Sequence, residues 1–149
     1  MKDVIIHIKG RHFVVDADAG EAEIVELTTV GKMGARGGKT FLTYAEDPTL
    51  YGAEVTTTLK ITGNDSVIMQ RSGGSDSRLQ IERGQRSFSH YETGYGSLMV
   101  GVFGEQIQNH LDEMGGRLLM SYTIDVESNL ISRNELEITV KPAGGQPVS

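Results

Sequence analysis

The sequence predicts an all-β domain: a closed, mostly antiparallel, up-and-down β-barrel of about eight to ten strands. Three observations carry this expectation. Through most of the 149 residues the apolar residues recur at every second position, the period of a strand with one buried face. The alternating runs are separated by glycine-rich breaks. No segment reads as the crossover helix that parallel strands require, so consecutive runs pair as hairpins. Such a sheet either closes on itself or folds into a sandwich. The succession of hairpins favours closure, which also removes exposed strand edges.

Each element follows in chain order. "VIIHI" aligns Val4, Ile6 and Ile8 on one face, while "EIVELTTV" and "TFLTYAE" are strands by their threonine, valine and aromatic content, with apolar residues on both faces. "VTTTLKI" is the clearest strand, with Val55, Thr57, Leu59 and Ile61 on one side. Gly63, Asn64 and Asp65 then supply a tight turn, and "SVIMQR" returns with Val67, Met69 and Arg71 inward. "RLQIER" buries Leu79 and Ile81 with Arg83 in line. After a turn at Gly84, "SFSHYE" is expected to bury Phe88 with His90 and Glu92 in line, and "TGYG" turns again.

"FGEQIQNHLDEM" is ambiguous: Phe103, Ile107, Leu111 and Met114 are spaced as in a helix, while Ile107, Asn109 and Leu111 alternate as in a strand. "LLMSYTIDV" and "LEITV" close the series, aligning Leu118, Met120, Tyr122, Ile124 and Val126, then Leu136, Ile138 and Val140. "PAGGQPVS" carries little apolar surface to offset its ordering entropy. The expected organisation is a single barrel domain over residues 1–141 and a flexible tail over 142–149, with no repeat and no linker.

Composition narrows the function. A net charge of −6 opposes binding to a phosphate backbone, which needs a positive stripe, and the absence of Trp beside four Phe and five Tyr gives little material for base stacking. Nucleic acid is set aside as a partner. The absence of cysteine excludes disulfides and thiolate metal sites and fits a reducing compartment, so the expected location is the cytoplasm. The apolar run in "MKDVIIHIKGRHF" is too short for a signal peptide or a membrane span, and no membrane partner is expected.

Several motifs fail on inspection. "GARGGKT" lacks the first glycine of a phosphate loop, having Met33 there, and is followed by a strand where that loop needs a helix. "RSGGSDS" could cradle an anion in backbone amides but reads more simply as a hairpin loop. The four histidines, at positions 7, 12, 90 and 110, lack zinc-hydrolase spacing, so neither metal nor cofactor is expected. No serine-nucleophile elbow is present. Met69, Met99 and Met120 read as core filling. "NDS" at Asn64 is a turn.

The ordered segments "GGKTFLTYAED", "TTTLKITGNDSVIMQRSG", "IERGQRSFSHYETGYGSLMVGV" and "GGRLLMSYTIDV" resemble the YwiB-like family of uncharacterised bacterial β-barrel proteins, from Asp3 to Lys141. The resemblance implies a lipocalin-like (calycin) closed barrel in which "FGEQIQNHLDEM" is mostly strand. It implies no activity.

Strand arithmetic places the polar candidates. Across the "GND" turn Thr57 falls opposite Arg71, and two further strands bring Glu92 to the same barrel end, roughly 10 Å away by backbone spacing. Tyr95 caps that end. The candidate ligand-binding residues are therefore Arg71, Glu92, Thr57, Tyr44, His90 and Tyr95, above walls formed by Val67, Met69, Leu79, Ile81 and Phe88.

Three readings follow. The first is a barrel that binds a small amphipathic or anionic molecule, with Arg71 at its mouth. The second is a filled structural or interaction barrel, with Arg71 and Glu92 as an ion pair and "HIKGRHFVVDADAG" and "RSGGSDS" as contacting loops, compatible with a homo-oligomer. The third, ranked below both, is an enzyme using Glu92 or His90 as acid or base with Arg71 stabilising negative charge.

Overall fold

The computed structural model describes residues 1–14, 22–46, 55–73, 77–93 and 96–143, with backbone alone at residues 46, 91–93, 96 and 97. The strands are β1 (Lys2–Val14), β2 (Glu23–Arg36), β3 (Lys39–Glu46), β4 (Val55–Thr62), β5 (Ser66–Gly73), β6 (Ser77–Glu82), β7 (Arg86–Thr93), β8 (Gly96–Asp112), β9 (Gly115–Val126) and β10 (Asn129–Pro142). Each pairs antiparallel with its neighbours in sequence, and β10 pairs with β1, closing the ring. The predicted up-and-down barrel is the observed fold. Ala143 extends the closure by donating its N–H to the Asp3 carbonyl (3.1 Å). Residues 144–149 of the expected tail lie outside the described residues.

Turn chemistry fixes the hairpins. Gly37 and Gly38 hold φ of 59° and 79°, the paired positive values of a two-residue turn that matches strand twist, and β3 follows directly. A strand after "GARGG" leaves no helix N-terminus for a phosphate. The "GND" turn sets the β4–β5 register as expected, with Thr57 opposite Arg71 and Tyr44 opposite Thr57 on the other side. Arg83 departs from expectation. It does not continue the inward row of Leu79 and Ile81 but lies exposed and latches this turn, Nε donating to Asn64 O (2.8 Å) and a terminal nitrogen meeting Asp65 Oδ1 (3.3 Å).

The ambiguous stretch is strand as far as Asp112, with Glu113 and Met114 in the turn, mostly strand as the family resemblance implied. Its mixed spacing has a local cause: the β8–β9 register shifts between Gly104 and Gln106, so Glu105 is a bulge residue. Before the bulge the buried apolar side chains are Val100 and Val102; after it the parity changes and Ile107 turns inward. Gly104 is required here because the β6–β7 turn lies against it. A Cβ would stand 2.3 Å from the Glu82 carbonyl oxygen, and Gly84 N–H donates to Gly104 O at 2.8 Å.

The β6–β7 seam is the thinnest. Among the described residues its ladder register is the single pair Arg78 and His90, and Gln80 N–H donates to the Ser89 hydroxyl (3.0 Å). Elsewhere the ladders are long, and the interior is packed with Ile6, Leu42, Leu59, Ile61, Val67, Ile81, Leu118 and Ile138, all essentially inaccessible to water. Each such side chain contributes about 1.5–3 kcal/mol by burial.

Candidate functional site

Alternation carries one face of every strand into the barrel, and toward one end the packing gives way to a cavity of about 390 Å³. At this end β5, β9 and β1 finish and β6, β8 and β10 begin. Met69 and Arg71 of β5, Leu79 of β6 and Leu98 and Val100 of β8 form one side. Tyr122, Ile124 and Val126 of β9, Ile131, Ser132 and Asn134 of β10, and His12 of β1 form the other.

The lining is apolar with a small polar set. Arg71 stands half-buried on one wall. Across the cavity, Nδ1 of His12 lies 2.6 Å from Asn134 Oδ1, and Asn134 Nδ2 donates to Ser132 Oγ at 3.2 Å. These three residues lie on paired positions of β1 and β10, with His12 directly opposite Asn134. Ser132 is buried, while His12 and Asn134 are half-buried. A concave apolar site with few convergent polar groups can hold a small molecule and fix its orientation.

The candidates named from sequence divide. Arg71, Met69 and Leu79 line the cavity. Thr57 and Tyr44 are buried in the same inward row beside Arg71, and Val67 and Ile81 belong to the packed core. Phe88 does not form a wall: it is 62% exposed on the outer face, where the Arg86 guanidinium sits 4.7 Å from its ring centre. His90, two residues on, is exposed outside as well, which removes it from any acid–base pair inside the barrel. The inward residue between them is Ser89, buried and bonded to β6. The placement of Glu92 rested on sharing the parity of Phe88. The side chain of Glu92 and all of Tyr95 lie outside the described residues.

Met99 also corrects its expectation. It pairs with His90 and is 54% exposed, whereas Met120 is core. "HIKGRHFV" is the second half of strand β1 rather than a contacting loop. Residues 15–20 of that stretch and Gly74, Ser75 and Asp76 of "RSGGSDS" lie outside the described residues.

His12, Ser132 and Asn134 were missed, though their signal was present. Extending the Val4, Ile6, Ile8 row by two steps reaches His12, and extending the Leu136, Ile138, Val140 row backwards reaches Asn134 and Ser132. The apolar pattern stops where the cavity begins, so a reading by hydrophobicity stops there too. Among the described residues no three or more His, Asp or Glu side chains group as a metal site, and no helix is long and apolar enough to cross a membrane.

Comparisons with known proteins agree with this architecture. The chain is 26% identical over 136 residues to the uncharacterised β-barrel protein YwiB of Bacillus subtilis (strain 168), covering 91% of each chain. The crystal structure of the ywiB protein from Bacillus subtilis superposes with a TM-score of 0.79 at 25% identity, covering 95% of this chain and 92% of that one. Residues 6–138 match the family described as Domain of unknown function (DUF1934), and it is to this family of β-barrel proteins that the chain belongs.

Proposed function

We propose that this barrel, lipocalin-like in its use of one end, binds a small amphipathic anion with its acid group at Arg71 and its apolar body against Met69, Leu79, Val100 and Ile124. The observation that carries the reading is a cavity of about 390 Å³ whose mostly apolar wall includes an arginine. That volume falls in the usual range for small-molecule sites, and a guanidinium offers a paired donor geometry suited to a carboxylate or phosphate. Tyr44 and Thr57, in the same inward row, support the Arg71 end of the site. The lack of cysteine supports a reducing compartment, and we place the function in the cytoplasm.

Native mass spectrometry of freshly purified protein, against the same sample denatured, tests this reading. A small-molecule adduct that is lost on denaturation and absent from Arg71→Ala supports it. An adduct retained in Arg71→Ala overturns the role of Arg71. The absence of binding to any member of a panel of medium-chain acids, added at millimolar concentration, overturns the binding function.

A second reading, an interaction protein, draws on the outer face of β7 and β8, where Phe88, Met99 and Phe103 are exposed together around Arg86. Sedimentation of the wild type and Phe88→Ser checks it, an association lost in the variant being the supporting result.

A further inference from the structure

His12 is the cavity's second polar feature, and its hydrogen bonding is directional. Asn134 Nδ2 is committed to Ser132 Oγ, so the atom facing His12 is Oδ1, which can only accept. With the amide in this orientation the 2.6 Å contact puts the proton on Nδ1. In the neutral ring Nε2 then carries the lone pair, and among the described residues it has no hydrogen-bond partner. Nε2 is open to solvent, so a ligand donor would displace water from an acceptor already held in orientation.

The position of His12 relative to Arg71 gives the ligand its outline. β1 and β5 run in the same direction and are separated by β2, β3 and β4 on one side of the ring and five strands on the other. Arg71 and His12 thus lie on nearly opposite walls at the same end, both lining one cavity. Ten strands at about 4.8 Å spacing enclose a ring at least roughly 15 Å across between backbones. The cavity they share, about 390 Å³, has the volume for a short apolar chain.

We propose that Nε2 of His12 accepts a hydrogen bond from a hydroxyl or N–H of the bound molecule. The ligand class is then an apolar-bodied acid with a donor group remote from its acid group. This deepens the anion-binding reading above and rests on it. Asn134 and Ser132 act as positioning residues that hold the tautomer.

Titration calorimetry with octanoate and ω-hydroxyoctanoate, extended to six- and ten-carbon pairs, tests the proposal. The wild type should bind one hydroxy acid of the set up to about tenfold tighter than its parent acid, the upper value of one additional hydrogen bond. In His12→Phe that preference should fall to none. Equal affinities across every wild-type pair would overturn the role of His12 while leaving the anion site standing. Failure of all the acids to bind would overturn both. Because a variant can fail to fold, ¹⁵N NMR of the wild-type histidines provides a second readout. An unprotonated Nε2 at His12 in the neutral ring is the expected result, and a proton there overturns the proposal.

Discussion

The guanidinium of Arg86 on β7 reaches across β8 to the carboxylate of Asp125 on β9, with hydrogen bonds of 2.9 Å from Nε and 2.6 Å from a terminal nitrogen. Gly101, lying between them, has no side chain to obstruct the bridge. Asp125 also accepts from Ser128 N–H at 3.2 Å, bracing the β9–β10 turn, where Glu127 and Ser128 hold φ of 52° and 69°. One carboxylate thus ties together three strands and a turn of unfavourable backbone conformation.

The Arg86 hydrogen bonds hold Asp125 below the ordinary carboxylate range, outweighing the opposing effect of burial. A folded-state pKa that is depressed contributes stability above the unfolded value of about 3.9, and this contribution is lost as pH falls through the folded value. Asp125→Asn should therefore unfold at lower urea than wild type at pH 7, with the gap narrowing below about pH 4. Urea midpoints across pH 2–7 check this. A gap independent of pH would show that the charge contributes nothing.

Two glycine substitutions should separate side-chain from backbone crowding. At Gly101 a Cβ would lie 2.5 Å from Arg86 Nε and 2.6 Å from Asp125 Oδ2, groups that can move aside at the loss of their bond. At Gly104 the obstacle is backbone. Gly104→Ala should destabilise by about 3 kcal/mol or more, and Gly101→Ala by less. Gly101→Ala should also be non-additive with Asp125→Asn in a double-mutant cycle, because both remove the same bridge.

Thr57 should be improvable. Its hydroxyl is fully buried and without a hydrogen-bond partner among the described residues. Thr57→Val keeps the shape and removes the desolvated group, so it should stabilise by about 1 kcal/mol and raise Tm by roughly 2–4 °C. Calorimetry reads this directly, and a lower Tm would mean that the hydroxyl is satisfied in solution.

The outward turn of Phe88 also has a measurable signature. Phe88→Ala, at an exposed site with one cation–π contact, should cost about 0.5–1 kcal/mol. Leu59→Ala in the packed interior should cost about 2–5 kcal/mol. Comparable losses at the two positions, measured by urea denaturation, would place Phe88 inside.

The fold was legible because hairpin turns and period-two alternation are local signals. Gly63, Asn64 and Asp65 alone sufficed to put Thr57 opposite Arg71. The errors arose where hydrophobicity and orientation separate. In "SFSHY" the small serine is the residue that bonds inward to β6, while the aromatic ring finds an arginine outside. In β8 one bulge residue reverses the parity, an event without a pattern of its own in the sequence. The cavity was half legible, Arg71 from the hairpin register and Tyr122, Ile124 and Val126 from their alternation, but not the polar residues of the opposite wall. His12, Ser132 and Asn134 are polar, and only the closure of β1 on β10 brings them together.

That closure also orders events in time. β1 is exposed along one edge until β10, which follows every other strand in the chain, has been made and has docked from Val4 to Val14. Synthesis delivers the first strand many seconds before its last partner, so nine strands must wait as an open, curling sheet with two adhesive borders. Ring completion is the most non-local contact in the molecule and should limit the folding rate. A nascent chain lacking β10 is the species most exposed to edge-to-edge aggregation.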